Sequence, residues 1–172
     1  MTSTGNAPLL SVRELRTGYR LQGSPRRKLE AVHGASFDIH EGGIVGLVGE
    51  SGSGKTSLAH ALLGLQRQCS GQVLFDGKDL LRMKASSLRA IRRDIQAIFQ
   101  DPLASLSPRR SILQSLLEPL DHFRIGPRRQ RPDRAREALE AVELDPDLVQ
   151  RYPHEISGGQ RQRVALARAM VT

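Results

Sequence analysis

The chain has 172 residues, a length that suffices for one domain with its own hydrophobic core. The net charge of +8 suits nucleic acid, an anionic membrane surface or an anionic ligand, but a 3% aromatic content leaves no stacking platform for single strands. One cysteine, Cys69, excludes an internal disulfide framework and a cysteine-cluster metal site. We find neither an apolar run of about 18 residues nor a signal peptide, which favours a cytosolic location.

The first half of the chain has the pattern of an α/β fold. Strands are predicted where short apolar or alternating runs lie between glycine-rich or proline-rich turns. These strands cover residues 9–20, 29–39, 44–48, 70–77 and 95–99. Helices are predicted after the glycine-rich segment that follows residue 48 and again at 86–93, and residues 21–28 are predicted to form an exposed hairpin loop.

The second half has a helical pattern, with apolar residues at helical spacing from 111 to 151. A helix is predicted over Asp133–Leu144. The apolar positions of this helix, which are expected to face the core, are Ala135, Ala138, Leu139 and Val142. A last helix is predicted after Ser157, which suits an N-cap, and Gln160 completes a capping box three residues later.

The segment between the third strand and the first helix carries the pattern G-x-x-x-x-G-K-[ST] at Gly49, Gly54, Lys55 and Thr56. An apolar strand before it and an apolar helix after it are the context of a phosphate-binding loop, and a fortuitous tight turn is the alternative interpretation. Backbone N–H groups and the helix N-terminus would surround the phosphates. The residues assigned to this loop are Gly49, Glu50, Ser51, Gly52, Ser53, Gly54, Lys55, Thr56 and Ser57.

The side chains at the end of this loop have predicted partners on a nucleoside triphosphate. Lys55 should reach the β- and γ-phosphates, the Thr56 hydroxyl should coordinate Mg²⁺, and Ser57 is a candidate donor to the α-phosphate. The glycines of the loop permit positive φ angles and a close approach of the backbone. Gly64 is expected to end the helix in the left-handed conformation.

Three motifs in this order resemble those of the ATP-binding cassette (ABC) ATPases: the phosphate-binding loop or Walker A motif, Phe99–Pro102, and Ser157–Arg163. The resemblance covers nearly the whole chain. It implies an α/β fold of the P-loop NTPase type, with an N-terminal antiparallel β part, a P-loop strand and helix, and an inserted α-helical subdomain. Residues 1–172 would then be one incomplete ABC ATP-binding domain, with a nucleotide-binding part at 9–100 and a helical subdomain at 101–172.

The resemblance also implies roles for single residues. Gln100 matches the Q-loop glutamine, which reaches Mg²⁺ and the attacking water, so Lys55 and Gln100 are the expected catalytic residues. The signature motif matches Ser157, Gly158, Gly159 and Gln160. In the family this motif contacts the γ-phosphate of an ATP held by a partner subunit, in a head-to-tail dimer. Tyr19 is the candidate for stacking on adenine, and an ordinary half-buried strand residue is the alternative. ATP and Mg²⁺ are the implied ligands.

Residues 100–109 and 151–160 look like the subfamily that powers dipeptide, oligopeptide and nickel importers. This implies ATP binding and hydrolysis that energise the import of peptides or a related solute. The implied partners are a second ABC ATPase subunit, expected to be a paralogue, two transmembrane permease subunits and, indirectly, a solute-binding protein, with no nucleic acid. The chain would then lie at the cytoplasmic face of the inner or plasma membrane, held there by the permease subunits.

One part of the family pattern is absent from the 172 residues. In the family an apolar strand ending in Asp-Glu, the Walker B motif, follows the signature helix, and a switch histidine comes later. No segment of this sequence replaces that pair. We therefore expect a fragment of a longer ATPase that hydrolyses ATP negligibly alone and has an open edge at its P-loop strand. The coding sequence after Thr172 would test this expectation.

Three other interpretations stay open. A non-catalytic nucleotide-binding or dimerisation module would need no Asp-Glu pair. A soluble ABC ATPase serving DNA repair or translation usually carries a long insertion, which the short span from Gln100 to Ser157 argues against. The third is a simple P-loop kinase, and the signature motif argues against it.

Overall fold

The computed structural model describes residues 7–20, 28–66, 68–99 and 106–172. The chain divides into two compact units, Met1–Arg89 and Ala90–Thr172. The first unit is a β-sheet with two helices, and the second is helical. The assignment of 9–100 to a nucleotide-binding part and 101–172 to a helical subdomain stays a prediction. Most of the predicted hairpin loop, residues 21–27, lies outside the described residues.

The first unit contains a four-stranded antiparallel sheet with the strand order β2-β1-β3-β4. Its strands are β1 (Leu10–Arg20), β2 (Lys28–Ile39), β3 (Cys69–Phe75) and β4 (Lys78–Asp79). Helix α1 (Lys55–Leu62) belongs to this unit, and helix α2 (Ala85–Ile91) begins in it and ends two residues beyond Arg89. The strands predicted at 9–20, 29–39 and 70–77 and the helix predicted at 86–93 are confirmed.

Strand β1 contains one residue more than the facing stretch of β3. Between Arg13 and Arg16, β1 advances by three residues while β3 advances by two, from 72 to 70. The extra residue is Glu14, which has a φ angle of 47°. Gly71 lies opposite this β-bulge with a φ angle of 93°, and a Cβ there would be 2.3 Å from the Glu14 carbonyl oxygen.

The β-bulge determines which residues of β1 face the core. Val12 and Leu15 are three positions apart, yet both are fully buried. A regular strand would place them on opposite faces, and the extra residue returns Leu15 to the face of Val12. Val73 of β3 and Leu58 and Ala61 of α1 are also buried. These five residues, together with Leu80 after β4, are buried apolar positions around the sheet and its first helix.

Helix α1 ends as the sequence predicts. Gly64 has a φ angle of 63°, in the left-handed region, and its N–H donates to Ala61 O at 3.0 Å. The next residue, Leu65, donates its N–H to His60 O at 2.9 Å. The last carbonyl groups of the helix are therefore satisfied by the turn that glycine makes possible.

Two predicted strands are not formed. Residues 44–48 and 95–99 carry no strand, although both runs are apolar. Ile44 is 97% exposed and Val48 is 94% exposed, so the run before the predicted phosphate-binding loop lies on the surface. A strand is stable only when its N–H and C=O groups pair with a neighbouring strand, and in the described parts of the chain neither run has such a neighbour.

The second unit packs three helices around one apolar core: α3 (Ile112–His122), α4 (Arg131–Glu140) and α5 (Gly158–Met170). Short 3-10 turns occur at Arg128–Gln130, Pro146–Gln150 and Pro153–Glu155. The four predicted core positions of α4 and the turn after it, Ala135, Ala138, Leu139 and Val142, are all buried. Of the helices in the described parts, none combines the length and apolar character that a membrane span requires.

A buried arginine joins α3 to α4. The Arg131 side chain is 8% exposed and forms an ion pair with Asp121 of α3. Its Nε donates to Ile125 O at 2.9 Å and its Nη2 donates to Gly126 O at 3.1 Å. One guanidinium therefore satisfies the carbonyl groups of the turn that connects the two helices.

Candidate functional site

The segment before α1 folds as a tight loop. Ser53 donates its N–H to Glu50 O at 3.2 Å. Gly52 and Gly54 have φ angles of 84° and 91°, in the left-handed region that favours glycine. The loop turns the chain directly into the first turn of α1, which begins at Lys55.

The Lys55 side chain folds back over this loop. Its Nζ donates to Gly49 O and to Glu50 O, both at 2.6 Å, and lies 3.3 Å from Ser53 Oγ. An ammonium group has three donor hydrogens, which matches these three acceptors. The loop thus holds a positive charge against its own backbone, at the place where the sequence predicts phosphate groups.

The N-terminus of α1 has no capping side chain. Its N-cap is Gly54, and the first intrahelical hydrogen bond runs from Leu58 N to Gly54 O at 2.8 Å. A helix leaves its first N–H groups without intrahelical partners, and these groups carry the positive end of the helix dipole. This end of the eight-residue helix therefore suits an anion such as a phosphate group.

Thr56 is exposed in the first turn of α1. Among the described residues no group of three or more His, Cys, Asp or Glu side chains could hold a metal ion. Mg²⁺ does not need such a group, because it keeps several waters and is commonly held by one or two protein oxygens together with substrate phosphates. The Thr56 hydroxyl therefore fits a Mg²⁺ ion that arrives with a nucleotide.

Two contacts hold the start of α1 against the β1–β2 hairpin. A Cβ at Gly54 would lie 2.2 Å from Ala31 O, so the loop backbone contacts β2 at a distance that only glycine permits. The Tyr19 hydroxyl of β1 lies 3.0 Å from Ser57 Oγ, within hydrogen-bond distance. The predicted adenine-stacking residue is therefore linked to the predicted phosphate-binding helix.

The start of α5 has a complete capping box, as the sequence predicts. Ser157 Oγ accepts from Gln160 N at 3.2 Å, and Gln160 Oε1 accepts from Ser157 N at 2.8 Å. Gly158 and Gly159 are exposed between them. The two glycines thus present bare backbone at a helix N-terminus, the second such terminus in the chain that carries a predicted anion-binding motif.

The turn before this motif is held by the helix that follows it. Arg161, in the first turn of α5, donates from Nη1 to Pro153 O at 3.0 Å and to Ile156 O at 2.7 Å. The His154 ring stacks on Tyr152 with ring centroids 5.7 Å apart.

The structure brings some of the predicted residues together. Gly49, Glu50 and Ser53 surround the Lys55 ammonium, and Ser51 and Gly52 are exposed on the same loop. Ser157–Gln160 belongs to the other unit. Gln100 lies outside the described residues.

Sequence reasoning missed two features of the site. The carbonyl acceptors of Lys55 are backbone atoms, which no residue type specifies. The link from Tyr19 to Ser57 joins positions 38 residues apart, and no local pattern reports such a contact. One signal for this contact was available in the sequence. Ser57 lies on the face of α1 that also carries Leu58 and Ala61, and a buried hydroxyl group needs a hydrogen-bond partner.

Comparison with known proteins places these motifs in context. A family model described as ABC transporter matches residues 32–172. A Brucella ovis protein, named as a peptide import ATP-binding protein, is 51% identical over 170 residues, which are 99% of this chain and 52% of that protein. The Oligopeptide transport ATP-binding protein OppF of Escherichia coli K12 is 42% identical over 174 residues, covering 97% of this chain and 52% of its own length. The chain thus spans about half the length of these curated relatives.

Solved structures show the same fold. The dimeric structure of the ATP-binding cassette MJ0796, in a post-hydrolysis state bound to ADP and Pi, is 30% identical and aligns with a TM-score of 0.81, over 94% of this chain and 69% of that one. The structure of cbiO1 from Clostridium perfringens, part of an ABC transporter complex, is 26% identical with a TM-score of 0.78, over 96% of this chain and 62% of that one.

Proposed function

The chain belongs to the ABC transporter family, and we propose from this that it binds ATP at residues 49–57 as the ATP-binding part of a peptide importer. The observation that carries the proposal is the position of the Lys55 ammonium, held on the carbonyl groups of Gly49 and Glu50 beside the uncapped N-terminus of α1. Phosphate groups would replace these carbonyl groups as its partners. The Tyr19 ring, 40% exposed at the edge of the same site, would stack on the adenine.

The ATP would be bound with Mg²⁺. The Thr56 hydroxyl would be its ligand from α1, and Gln100 would approach the metal ion and the attacking water. Mg²⁺ neutralises charge on the phosphate oxygens and orients them. In this arrangement Lys55 and Gln100 act on the reacting γ-phosphate, and the remaining loop residues bind and orient the nucleotide.

We place hydrolysis in a head-to-tail dimer, in which Ser157, Gly158, Gly159 and Gln160 of one subunit face the ATP of the other. Support comes from the exposed glycine pair at the capped N-terminus of α5. The 172 residues contain no apolar segment that ends in Asp-Glu, and a missing general base typically costs a factor of about 10²–10⁴ in rate. The chain by itself should therefore bind ATP and hydrolyse it very slowly, as a non-catalytic nucleotide-binding module would.

Peptide import is proposed from the names of the relatives, one a peptide import protein and another an oligopeptide transport protein. The partners would be a second ATPase subunit, expected to be a paralogue, two permease subunits and, through them, a solute-binding protein. The chain would then act at the cytoplasmic face of the membrane. Its peripheral attachment would come from the permease subunits.

The proposal is tested by measuring ATP binding and phosphate release for the purified chain and two lysine variants. Lys55→Ala should raise the Kd for ATP at least about tenfold, because the loop loses its charge-assisted contact with the phosphates. Lys84→Ala removes an exposed lysine elsewhere in the first unit and should leave the Kd unchanged. Equal ATP binding by the Lys55→Ala variant would contradict the assignment of the site, and rapid phosphate release by the unmodified chain would contradict the predicted slow turnover.

A further inference from the structure

The contact between Tyr19 and Ser57 joins the predicted adenine-stacking residue on β1 to the predicted phosphate-binding helix α1 through a pair of hydroxyl groups. The two oxygens lie 3.0 Å apart in a partly buried position. Ser57 is only 9% exposed in the first turn of α1, whereas Tyr19 is 40% exposed near the end of β1. The tyrosine hydroxyl therefore points at the helix while part of its ring faces solvent.

Backbone contacts fix both ends of this link. On the strand side, Gln66 Nε2 donates to Gly18 O at 2.6 Å, and a Cβ at Gly18 would lie 2.4 Å from Leu29 O. On the helix side, the backbone of Gly54 packs against Ala31 O. The two hydroxyl groups are thus brought together by the strand and the helix start, and neither can move far without breaking a backbone contact.

The donor of this hydrogen bond follows from acidity. A phenol, with a pKa of about 10, is a much stronger acid than an aliphatic alcohol and is therefore the better hydrogen-bond donor. When Tyr19 donates, Ser57 Oγ uses a lone pair and keeps its own hydrogen available. Among the described residues the Tyr19 hydroxyl is the one hydrogen-bond partner of Ser57 Oγ. The serine hydrogen is then free to turn toward a group outside the protein.

We propose that Tyr19 is a positioning residue for phosphate binding, which acts by donating to Ser57 Oγ and so orients the Ser57 hydroxyl hydrogen toward a phosphate oxygen. The proposal rests on the proposed function, because it takes residues 49–57 as the phosphate site. It assigns Tyr19 a role that its ring cannot perform. A stacked ring contacts only the base, whereas the hydroxyl acts on the phosphate chain through Ser57.

Inorganic tripolyphosphate separates these two roles, because it has the phosphate chain of a nucleotide and no base. Its Kd is measured with Mg²⁺ for the unmodified chain, for Tyr19→Phe, for Ser57→Ala and for the double variant. Tyr19→Phe keeps the ring and loses the hydroxyl, and it should weaken tripolyphosphate binding by about two- to tenfold, the range for one net hydrogen bond. The same change in the Ser57→Ala background should have no further effect, because the residue through which it acts is gone.

Controls separate positioning from a general loss of structure. Tyr152→Phe removes the hydroxyl of the other tyrosine, which is 41% exposed in the second unit, and should leave the Kd for tripolyphosphate unchanged. Ser57→Thr keeps a hydroxyl group and should retain the dependence on Tyr19. Thermal unfolding of each variant reports its stability independently.

The outcomes distinguish this proposal from the proposed function. If the unmodified chain binds neither tripolyphosphate nor ATP, the phosphate site itself is wrong and the positioning role falls with it. If tripolyphosphate binds and Tyr19→Phe has no effect, only the positioning role is overturned. Equal weakening by Tyr19→Phe in the presence and absence of the Ser57 hydroxyl would also overturn it, because Tyr19 would then act by another route.

Discussion

Two glycines of the predicted phosphate-binding loop share one backbone conformation but differ in their surroundings. Gly52 has a φ angle of 84° and Gly54 has a φ angle of 91°. A Cβ at Gly52 would meet nothing within 4 Å, whereas a Cβ at Gly54 would lie 2.2 Å from Ala31 O. Gly52 is thus required by its φ angle alone, and Gly54 is required both by its φ angle and by the close approach of β2.

This difference predicts unequal effects of alanine. Gly52→Ala should lower the free energy of unfolding by about 1 kcal/mol, the cost of a left-handed non-glycine residue. Gly54→Ala should cost at least about 2 kcal/mol more, because the strand or the helix start must also move. Urea unfolding of both variants measures the difference. Equal losses would show that the contact with Ala31 relaxes without cost.

The ion pair between Arg13 and Asp38 gives the first unit a dependence on pH. Arg13 Nη2 donates to Asp38 Oδ2 at 2.7 Å, between β1 and β2. This hydrogen bond from the guanidinium holds the pKa of Asp38 below its ordinary value and raises the pKa of Arg13. A carboxyl group whose pKa is lowered by folding stabilises the folded state above its unfolded pKa, about 3.9 for Asp.

Asp38→Asn should therefore lower the urea midpoint of the chain at pH 7. The difference from the unmodified chain should shrink once the pH falls below about 3.9 and disappear below the folded pKa of Asp38, where the carboxyl group is protonated in both states. Asp76→Asn is the matched control, because that carboxylate is more exposed and lies 3.9 Å from Lys78 Nζ. A midpoint difference for Asp38→Asn that does not change with pH would contradict the role of its charge.

At the scale of elements, the connection between α3 and α4 depends on one side chain. Arg131 is buried, pairs with Asp121 and donates to two carbonyl groups of the intervening turn. Arg136 lies on the same helix, but its side chain is 42% exposed and pairs with Asp133 one turn away. The two arginines carry the same charge and lie on the same helix, but only Arg131 is buried.

Arg131→Ala should lower the free energy of unfolding by about 3 kcal/mol, because two carbonyl groups lose their donor and a packed side chain is removed. Arg136→Ala should change it by less than about 0.5 kcal/mol, as is usual for an exposed ion pair. Denaturant unfolding monitored by far-ultraviolet circular dichroism compares them. Similar values for the two variants would mean that the turn satisfies its carbonyl groups with water.

Local signals predicted the helices well. The capping box of Ser157 and Gln160 and the glycine stop at Gly64 depend on residues within one turn, and both were read from the sequence. The tight turn before α1 also depends on neighbouring residues, and phosphate binding by this loop stays a prediction. The apolar runs at 44–48 and 95–99 were predicted as strands, and this was wrong because a strand also needs a partner that its own residues do not specify. The hydrogen bond between distant hydroxyl groups at the candidate site could not be predicted for the same reason.

At the scale of the whole molecule, an exposed apolar run and a high net charge act in opposite directions. The run consists of Ile44, Val45, Leu47 and Val48, each at least 50% exposed. A contiguous apolar surface of this kind favours association, whereas a net charge of +8 keeps molecules apart at low ionic strength. Salt screens the repulsion and leaves the apolar attraction in place.

Self-association should therefore increase with salt, and the double variant Ile44→Lys, Val48→Lys should reduce it by interrupting the apolar run. Sedimentation velocity at low and high salt measures the change. Leu65→Lys provides the control, because it adds one charge at a residue that is 51% exposed and lies outside the run. If the Leu65→Lys variant dissociates as readily as the double variant, added charge rather than the apolar run controls association.

The extra residue in β1 limits how this sequence can change. A Cβ at Gly71 would lie 2.3 Å from the carbonyl oxygen of Glu14 and 2.6 Å from that of Arg13. A side chain at 71 is acceptable only in a chain whose β1 has lost the extra residue, and that loss would turn either Val12 or Leu15 to the opposite face of the sheet. Positions 12, 14, 15 and 71 are therefore epistatically coupled, because a replacement at one of them becomes neutral only after the others have changed.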